Sequence, residues 1–254
     1  PRHRLPKIRN KGTGIGMRAN TVKRSGLGFW IKRLLLIACL MVVALEAYFF
    51  VQIGWWVEHD PGMTSFMHVQ LAALREKNPN AKLQQKWVDY DRISNNLKRA
   101  IISSEDANFT DHDGVDWNAL QKAYLKNAKK GKVVAGGSTI TQQLAKNLFL
   151  SGSRSYLRKG QELIITYMLE FWMDKERIFE IYLNVVEFGS GIFGAEAAAQ
   201  HYYGISASRL SAAQAARLAV MLPNPRYYDA HRGTSYLARR TDLILRRMNA
   251  ADLP

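Results

Sequence analysis

Cysteine is nearly missing from the 254 residues. Cys39 stands alone, which excludes an internal disulfide and any cysteine-built zinc cluster. No Gly-Lys-[Ser/Thr] stands at P-loop spacing, so a Walker-type phosphate cradle is excluded as well. No internal repeat and no convincing succession of strands occurs. Acidic residues are absent ahead of Glu46. With 47% hydrophobic and 22% charged residues, the chain is neither wholly disordered nor collagen-like. Its length suits one medium domain with an appendage, or two small domains.

Basic residues are plentiful instead. Lys and Arg number 36 against 21 Asp and Glu, a formal net charge of +15. Such an excess suits an anionic partner: nucleic acid, phospholipid headgroups or a phosphorylated substrate. Arg2, Arg4, Lys7, Arg9, Lys11, Arg18, Lys23, Arg24, Lys32 and Arg33 crowd the start of the chain. Residues 1–28, with Pro, Gly, Ser and Asn and no helical period, read as a disordered basic tail. Nucleic-acid binding by that tail is one reading, although a basic flank is what membrane topology alone requires.

Behind this cluster run LLLIACLMVVAL (34–45), Glu46, and AYFFVQIGWWV (47–57). At about 1.5 Å per residue, a helix over Leu34–Val57 crosses a hydrocarbon core. Trp30 and Trp55-Trp56 flank it where aromatic belts form. The alternatives are a cleaved signal peptide or a buried core helix. The run is long for a signal peptide, and no small-residue cleavage pattern follows it. Residues 29–57 are therefore expected to be an uncleaved anchor, with the N-terminus in the cytoplasm and residues 58–254 outside. An ionised Glu46 in mid-span costs about 2.5–3.5 kcal/mol, so it is expected to be protonated or to face a partner helix.

The external part reads as mostly α. Asn96 is a candidate cap for a helix through Leu97, Ala100 and Ile101 toward Ser104. Asp116 is one for a helix through Trp117, Leu120, Tyr124 and Leu125 that Gly131 ends. Lys122, Lys126 and Lys129 form a basic stripe on the latter. Val133-Val134 is at most a hairpin edge. Gly136-Gly137 breaks the chain, and Ser138 or Thr139 caps a helix to about Leu148. A helix over roughly 158–173 has an apolar side of Leu163, Ile164, Tyr167, Met168, Phe171 and Trp172, and a polar stripe of Arg158, Glu162, Thr166 and Glu170. Asp174 caps a helix at Lys175–Leu183. Gly189–Gly194 is a glycine-rich break, and Ala195–Tyr203 an alanine-rich helix. Ser211 to Gln214 is a capping box for a helix that stops before Pro223. Ser235–Ala250 closes the chain.

Three blocks carry chemistry. In Ile102-Ser-Ser-Glu105-Asp106-Ala-Asn-Phe109-Thr-Asp-His112, a carboxylate follows an apolar turn. Glu105 there is either a general base tuned by its surroundings or a solvated acidic helix end. His112 has no partner His at i+4, which weakens a metal-ligand reading. In Gly136-Gly-Ser-Thr139-Ile-Thr-Gln-Gln143-Leu-Ala-Lys146-Asn147, glycines open a helix whose free N–H groups suit an anion, with Lys146 adding charge. The plain alternative is a well-capped surface helix. In Arg158-Lys159-x-x-Glu162, two cations stand beside a carboxylate, which locally is also what a surface ion pair looks like. Together they form an inventory for glycosyl transfer from a phosphorylated lipid: a base for the acceptor hydroxyl and cations, or a metal, for the departing diphosphate.

These blocks resemble the ordered motifs of the peptidoglycan glycosyltransferase family, specifically its monofunctional biosynthetic transglycosylases. Ile178-Phe-Glu180-Ile-Tyr182-Leu-Asn184 agrees, as does Arg217-Leu-Ala-Val-Met-Leu-Pro223-Asn-Pro225 with Tyr228. The motifs span about 102–228 in order, and the anchor matches too.

The resemblance implies a mainly α, lysozyme-like catalytic domain with a smaller membrane-proximal lobe, plus one N-terminal transmembrane helix. It implies polymerisation of lipid II into linear glycan, with inversion at the donor's anomeric carbon and release of undecaprenyl diphosphate. The implied partners are lipid II, the growing lipid-linked chain, the bilayer and other cell-wall synthesis or division proteins, with no nucleic acid. The implied place is the bacterial cytoplasmic (inner) membrane, with the domain on its outer face. Glu105 would be the base and Glu162 the second essential carboxylate. Lys146, Arg158 and Lys159, helped by Arg154, would neutralise the diphosphate. Asp106, Phe109, His112, Thr139, Gln143, Asn147, Glu180 and Asn184 would shape the cleft. A divalent cation, Mg or Mn, is compatible with the diphosphate, and no organic cofactor is expected. Ser-x-x-Lys, Ser-Asp-Asn and Lys-Thr-Gly are absent, so glycan is expected to be polymerised and not crosslinked. Two rivals are a lysozyme-like hydrolase, which has no need of cations around a leaving diphosphate, and a non-enzymatic scaffold of the cell-wall machinery.

Overall fold

The apolar run behind the basic cluster is helical from end to end: α1 covers Gly26–Trp55. The computed structural model describes residues 26–132, 136–150 and 155–254. The basic tail up to Ser25, Val133-Val134 and Arg154 lie outside them. From Gly28 to Trp55 α1 has a mean hydropathy of 2.6 in its most apolar window, and none of that window is buried. Leu34, Leu35, Leu36, Leu40 and Val43 all face outward. One such helix fits a single-pass anchor.

The chain divides into two units, 1–46 and 47–254. The second begins inside the apolar run because the last two turns of α1 pack like core. Ile53 is buried. The Phe49 ring lies 4.7 Å from Phe149, and Phe50 lies 5.0 Å from Trp172.

Among the described residues, unit two continues with α2 (Ser65–Lys77), α3 (Asn95–Glu105), α4 (Trp117–Lys130), α5 (Ile140–Phe149), α6 (Tyr156–Trp172) and α7 (Lys175–Val185). Then come α8 (Ala195–Tyr203), α9 (Ala212–Met221), α10 (Pro225–Ala230) and α11 (Ser235–Arg247). Most caps follow from local chemistry: Asp116, Thr139, Asp174 and Ser211 each accept the N–H of the third helical residue. Gly131 takes the left-handed conformation that ends α4.

The structure corrects or adds to the sequence reading at four places. Asn96 does not cap α3: Ser94 does, while the Asn96 amide donates to the Leu210 carbonyl and ties α3 to the approach to α9. The segment 58–96, of mixed polarity and with no helix assigned from the sequence, holds α2 with Thr64 as its cap. The break at 189–194 is a hairpin, β2 (Glu187–Gly189) and β3 (Ile192–Phe193), and β1 (Gln84–Gln85) adds parallel to β3. These strands are too short to show a period. Gly194 (φ +83°) follows the hairpin where a Cβ would stand 2.6 Å from the Asn184 carbonyl oxygen, so no side chain fits there.

The fourth place is α6. Its buried side joins two residues of the polar stripe, Glu162 and Thr166, to Ile165 and Leu169, and the Thr166 hydroxyl donates to the Glu162 carbonyl at 2.7 Å. The hydroxyl of Thr141 and the ammonium of Lys175 both donate to Glu170, at 2.6 and 2.8 Å. Much of its apolar side faces out, with Ile164, Tyr167 and Phe171 exposed, the last to 70%. Tyr156 and Leu157 at the start of α6 are almost wholly exposed, and α4 adds Trp117, Tyr124 and Leu125. Such a helix buries its polar groups only because each finds a partner, and its outer face suits hydrocarbon better than water.

The core itself is helical. α3 lies on α9 and α11, while α5 lies on α6 and α7. Ala195, Ala198 and Ala199 let the first half of α8 sit inside, while Gln200 and His201 stay exposed.

Candidate active site

Apolar spacing on α3 buries Leu97, Ala100, Ile101 and Ile102, and the helix ends on Glu105. A carboxylate at a helix C-terminus faces the negative end of the dipole. Burial pushes the Glu105 carboxyl above its ordinary range, and Asp106 adds to this; bonds from Gln143 and Ser104 and the charge of Arg240 pull the other way. Gln143 Nε2 donates to Glu105 Oε2 at 3.0 Å, and Ser104 Oγ to Oε1 at 3.3 Å. The Gln143 amide is itself aimed, since its oxygen accepts from the Tyr182 hydroxyl at 3.1 Å. Burial raises the Tyr182 phenol far above its ordinary range, so it remains a donor.

On α6 the buried Glu162 accepts from Arg158 Nη1 at 3.1 Å and from Lys159 Nζ. Lys159 also donates to Ser138 Oγ at 3.4 Å. Lys146 comes from α5. Burial lowers its ammonium pKa; Glu162 and Glu105 act to raise it, while Arg158 and Lys159 lower it further. The lysine therefore feels both glutamates and both cations. An incoming dianion would act to raise that pKa again.

Gln143, Lys146 and Asn147 line a cavity of about 270 Å³ with Phe66, Val186, Glu187, Leu222, Pro223, Asn224, Pro225 and Arg226. The cavity holds a feature that sequence reasoning missed: Glu187 is buried, and Arg226 donates to it from Nε at 3.0 and 3.1 Å and from Nη2 at 3.0 Å. The one available signal was a lone acid in the apolar run Val185-Val186-Glu187-Phe188. Tyr182 and Arg240 were also missed as contributors.

The other expected residues divide into two sets. Asp106, His112 and Thr139 brace the site. Asp106 accepts from the Ile140 N–H at 3.0 Å and meets His112 Nε2 at 3.0 Å. Thr139 Oγ1 donates to the Gly114 carbonyl at 2.6 Å. These bonds join the ends of α3 and α5. They also change the reading of the α5 N-terminus as an anion site: the N–H groups of Thr139, Ile140 and Gln142 already donate to Gln142, Asp106 and Thr139 side chains.

Phe109, Glu180 and Asn184 stand away from the cavity wall. Phe109 is fully buried, 5.5 Å from the Phe179 ring. Glu180 pairs with Arg177 at 2.6 Å and accepts the Tyr90 N–H. Asn184 bonds both the N–H and the carbonyl of Val88, at 3.0 and 2.9 Å. Glu180 and Asn184 hold the segment before α3 in place.

Among the described residues no three His, Cys, Asp or Glu side chains gather as a metal cage. Both Glu162 oxygens already accept from cations. This donor set fits a diphosphate neutralised by Lys146, Arg158 and Lys159 better than a protein-built site for Mg or Mn.

Family membership agrees with a site in which Lys146 feels both Glu105 and the Glu162, Arg158 and Lys159 group. The transglycosylase family profile matches residues 71–249. The chain belongs to the transglycosylase family. It is therefore an enzyme of glycosyl transfer, on a lysozyme-like fold. It is 77% identical over 226 residues to the biosynthetic peptidoglycan transglycosylase of Janthinobacterium sp. (strain Marseille), covering 89% of this chain and 96% of that protein. The corresponding protein of Herminiimonas arsenicoxydans is 74% identical over the same shares. That of Bordetella avium is 58% identical, covering 89% and 97%.

Proposed function

We propose that this transglycosylase polymerises lipid II into linear glycan strands, using a lipid-linked glycan as donor and lipid II as acceptor. The observation that carries this is the pairing of Glu105, buried and held by Gln143, with the Glu162, Arg158, Lys159 and Lys146 group. Glu105 Oε takes the proton of the acceptor's 4-hydroxyl. The oxygen attacks the donor's anomeric carbon from the face opposite the leaving group, so the configuration inverts. The bond from that carbon to the phosphate oxygen breaks, and its electron pair leaves with undecaprenyl diphosphate. Lys146, Arg158 and Lys159 balance the charge that grows there. A raised pKa suits the base, because it takes up the proton more readily than an ordinary carboxylate.

The apolar outer faces of α4 and α6, with Lys122, Lys126 and Lys129 exposed on α4, support a bilayer as the surface on which the domain works. The basic residues ahead of α1 support an N-terminus inside the cell and a domain on the outer face of the cytoplasmic membrane. The sequence lacks the active-serine motifs of penicillin-binding domains, which supports glycan polymerisation without crosslinking by this chain.

Incubating the purified full chain in detergent with lipid II tests the proposal. Polymer is expected, and fluorescent penicillin leaves the chain unlabelled. Degradation of finished glycan instead would make it a hydrolase, and no reaction with either would make it a scaffold.

A further inference from the structure

The cavity beside Lys146 contains a second carboxylate–guanidinium unit that the steps above do not use. Glu187 lies on β2 between residues that are all buried, Val185, Val186 and Phe188. An apolar side chain would be the cheaper occupant of such a position, because desolvating a carboxylate costs several kcal/mol that pairing does not always recover. Burial accordingly raises the Glu187 carboxyl; Arg226 is the main opposing influence, and Lys146 acts in the same sense. Arg226 reaches Glu187 from α10, and 46% of its side chain is exposed against 5% for the carboxylate. The buried partner therefore fixes the exposed one.

The mode of pairing matters. Glu187 takes the Nε and Nη2 side of the guanidinium. A guanidinium has five N–H donors in a fixed fork. Occupying the side edge leaves the end edge, from Nη1 and the second Nη2 hydrogen, for another pair of oxygens. Arg226 lines the same cavity as Lys146, Gln143, Asn147 and Asn224, so the wall presents two cations and three amides beside the paired Glu187. That combination suits a phosphate oxyanion.

We propose that Arg226, aimed by the positioning residue Glu187, binds a phosphate group of a lipid-linked diphosphate in this cavity. The proposal rests on the lipid-linked substrates inferred above. The proposed reaction brings two diphosphates together, the donor's leaving group and the one the acceptor keeps. Correspondingly, among the described residues two buried carboxylates each hold an arginine, Glu162 with Arg158 and Glu187 with Arg226.

The test uses the full chain in detergent with two readouts. The first is binding of farnesyl diphosphate, with farnesol as the control without phosphate. Arg226→Ala should weaken diphosphate binding by about 10- to 100-fold, the range for charge-assisted hydrogen bonds, and leave farnesol unchanged. Arg226→Lys should recover part of the loss. Arg226→Ala leaves Glu187 buried without its partner, so the double variant Glu187→Gln/Arg226→Ala is measured beside it, with melting curves for both.

The second readout is lipid II polymerisation. KM should rise in the Arg226 variants by more than kcat falls, and Glu187→Gln should raise KM by a smaller factor because the fork is no longer held. Lipid II capped at its 4-hydroxyl serves only as donor. A raised KM for it assigns the donor's diphosphate, and a parent-like KM, with that for uncapped lipid II still raised, assigns the acceptor's. If the folded double variant binds farnesyl diphosphate as the parent does, the proposal is overturned. A parent chain that binds the diphosphate through Arg226 yet makes no polymer would instead overturn the lipid II reading alone.

Discussion

Replacing Glu105 with glutamine separates its chemical role from its structural one. The change keeps the size of the side chain and removes one ionisation. Gln143 Nε2 still finds an oxygen, and the Ser104 hydroxyl can rotate to accept from the new amide instead of donating to Oε1. The helix end and the cleft wall should therefore remain as they are. Turnover should not. Loss of a general base costs about 10²–10⁴-fold, or roughly 3–5 kcal/mol of transition-state stabilisation.

Stability should move the other way. Burial raises the Glu105 carboxyl in the folded chain above its value in the unfolded one. Between the two values the folded state holds more protons, so stability is full below the unfolded pKa and falls as pH rises through the folded one. Glutamine carries no such term. At neutral pH the variant should melt at or above the parent, and the gap should close as pH drops below the ordinary glutamate range. Initial rates on fluorescent lipid II across pH, with melting curves at the same pH values, check both parts. The parent should show an acid limb in kcat/KM lying above the ordinary glutamate range, and the variant's residual rate should lack it. A variant with near-parent turnover, or one that keeps the acid limb, would refute the assignment of the base.

Gln143→Leu removes a bond that favours the ionised Glu105, so the acid limb should move to higher pH; an unchanged pH–rate profile would count against this coupling. Lys146→Ala should lower turnover by about 10²-fold or more, with Arg158→Lys retaining more activity than Arg158→Ala because only arginine offers a fork; parent rates on lipid II for both alanine variants would reduce these residues to surface charges. Asp106→Ala leaves the Ile140 N–H and His112 without their acceptor and should cost about 1–3 kcal/mol, read by denaturant melting, with activity recovering on cooling. A cysteine placed at residue 10 should resist an impermeant thiol reagent in intact spheroplasts while one at exposed Arg232 reacts, and the reverse pattern would invert the topology.

Local chemistry was legible in the sequence where a single residue decides an outcome. Asp116, Thr139, Asp174 and Ser211 cap helices as their types require, and Gly131 ends α4 because its left-handed conformation is open to glycine. The α6 helix shows where that reasoning stops. Periodicity reports that a helix has two faces, and the usual inference sends the apolar one inward. Here Glu162 and Thr166 are buried beside Ile165 and Leu169, while Ile164, Tyr167 and Phe171 face out, so the period alone does not say which residues go inward. Glu162, Thr166 and the half-buried Glu170 are accommodated because partners arrive from α5, from the start of α7 and from one turn back on α6 itself.

The same limit hid Arg226. Its partner is 39 positions away, on a strand too short to announce itself. Nothing in Pro225-Arg226-Tyr227 marks an arginine whose fork is set by a buried acid. Glu187 was the better clue, because an acid within an apolar run must be paired, protonated or at the surface, and each of those outcomes says something about its neighbours. Glu162, inside the polar stripe of α6, and Glu187, within an apolar run, each hold an arginine, whereas Glu196, buried in the alanine-rich α8, accepts from Ser206 and the Ala207 N–H. A carboxylate that breaks a hydrophobic pattern, as Glu187 does, thus marks a position whose partner has to be sought elsewhere in the fold, which basic residues spread over the whole chain do not.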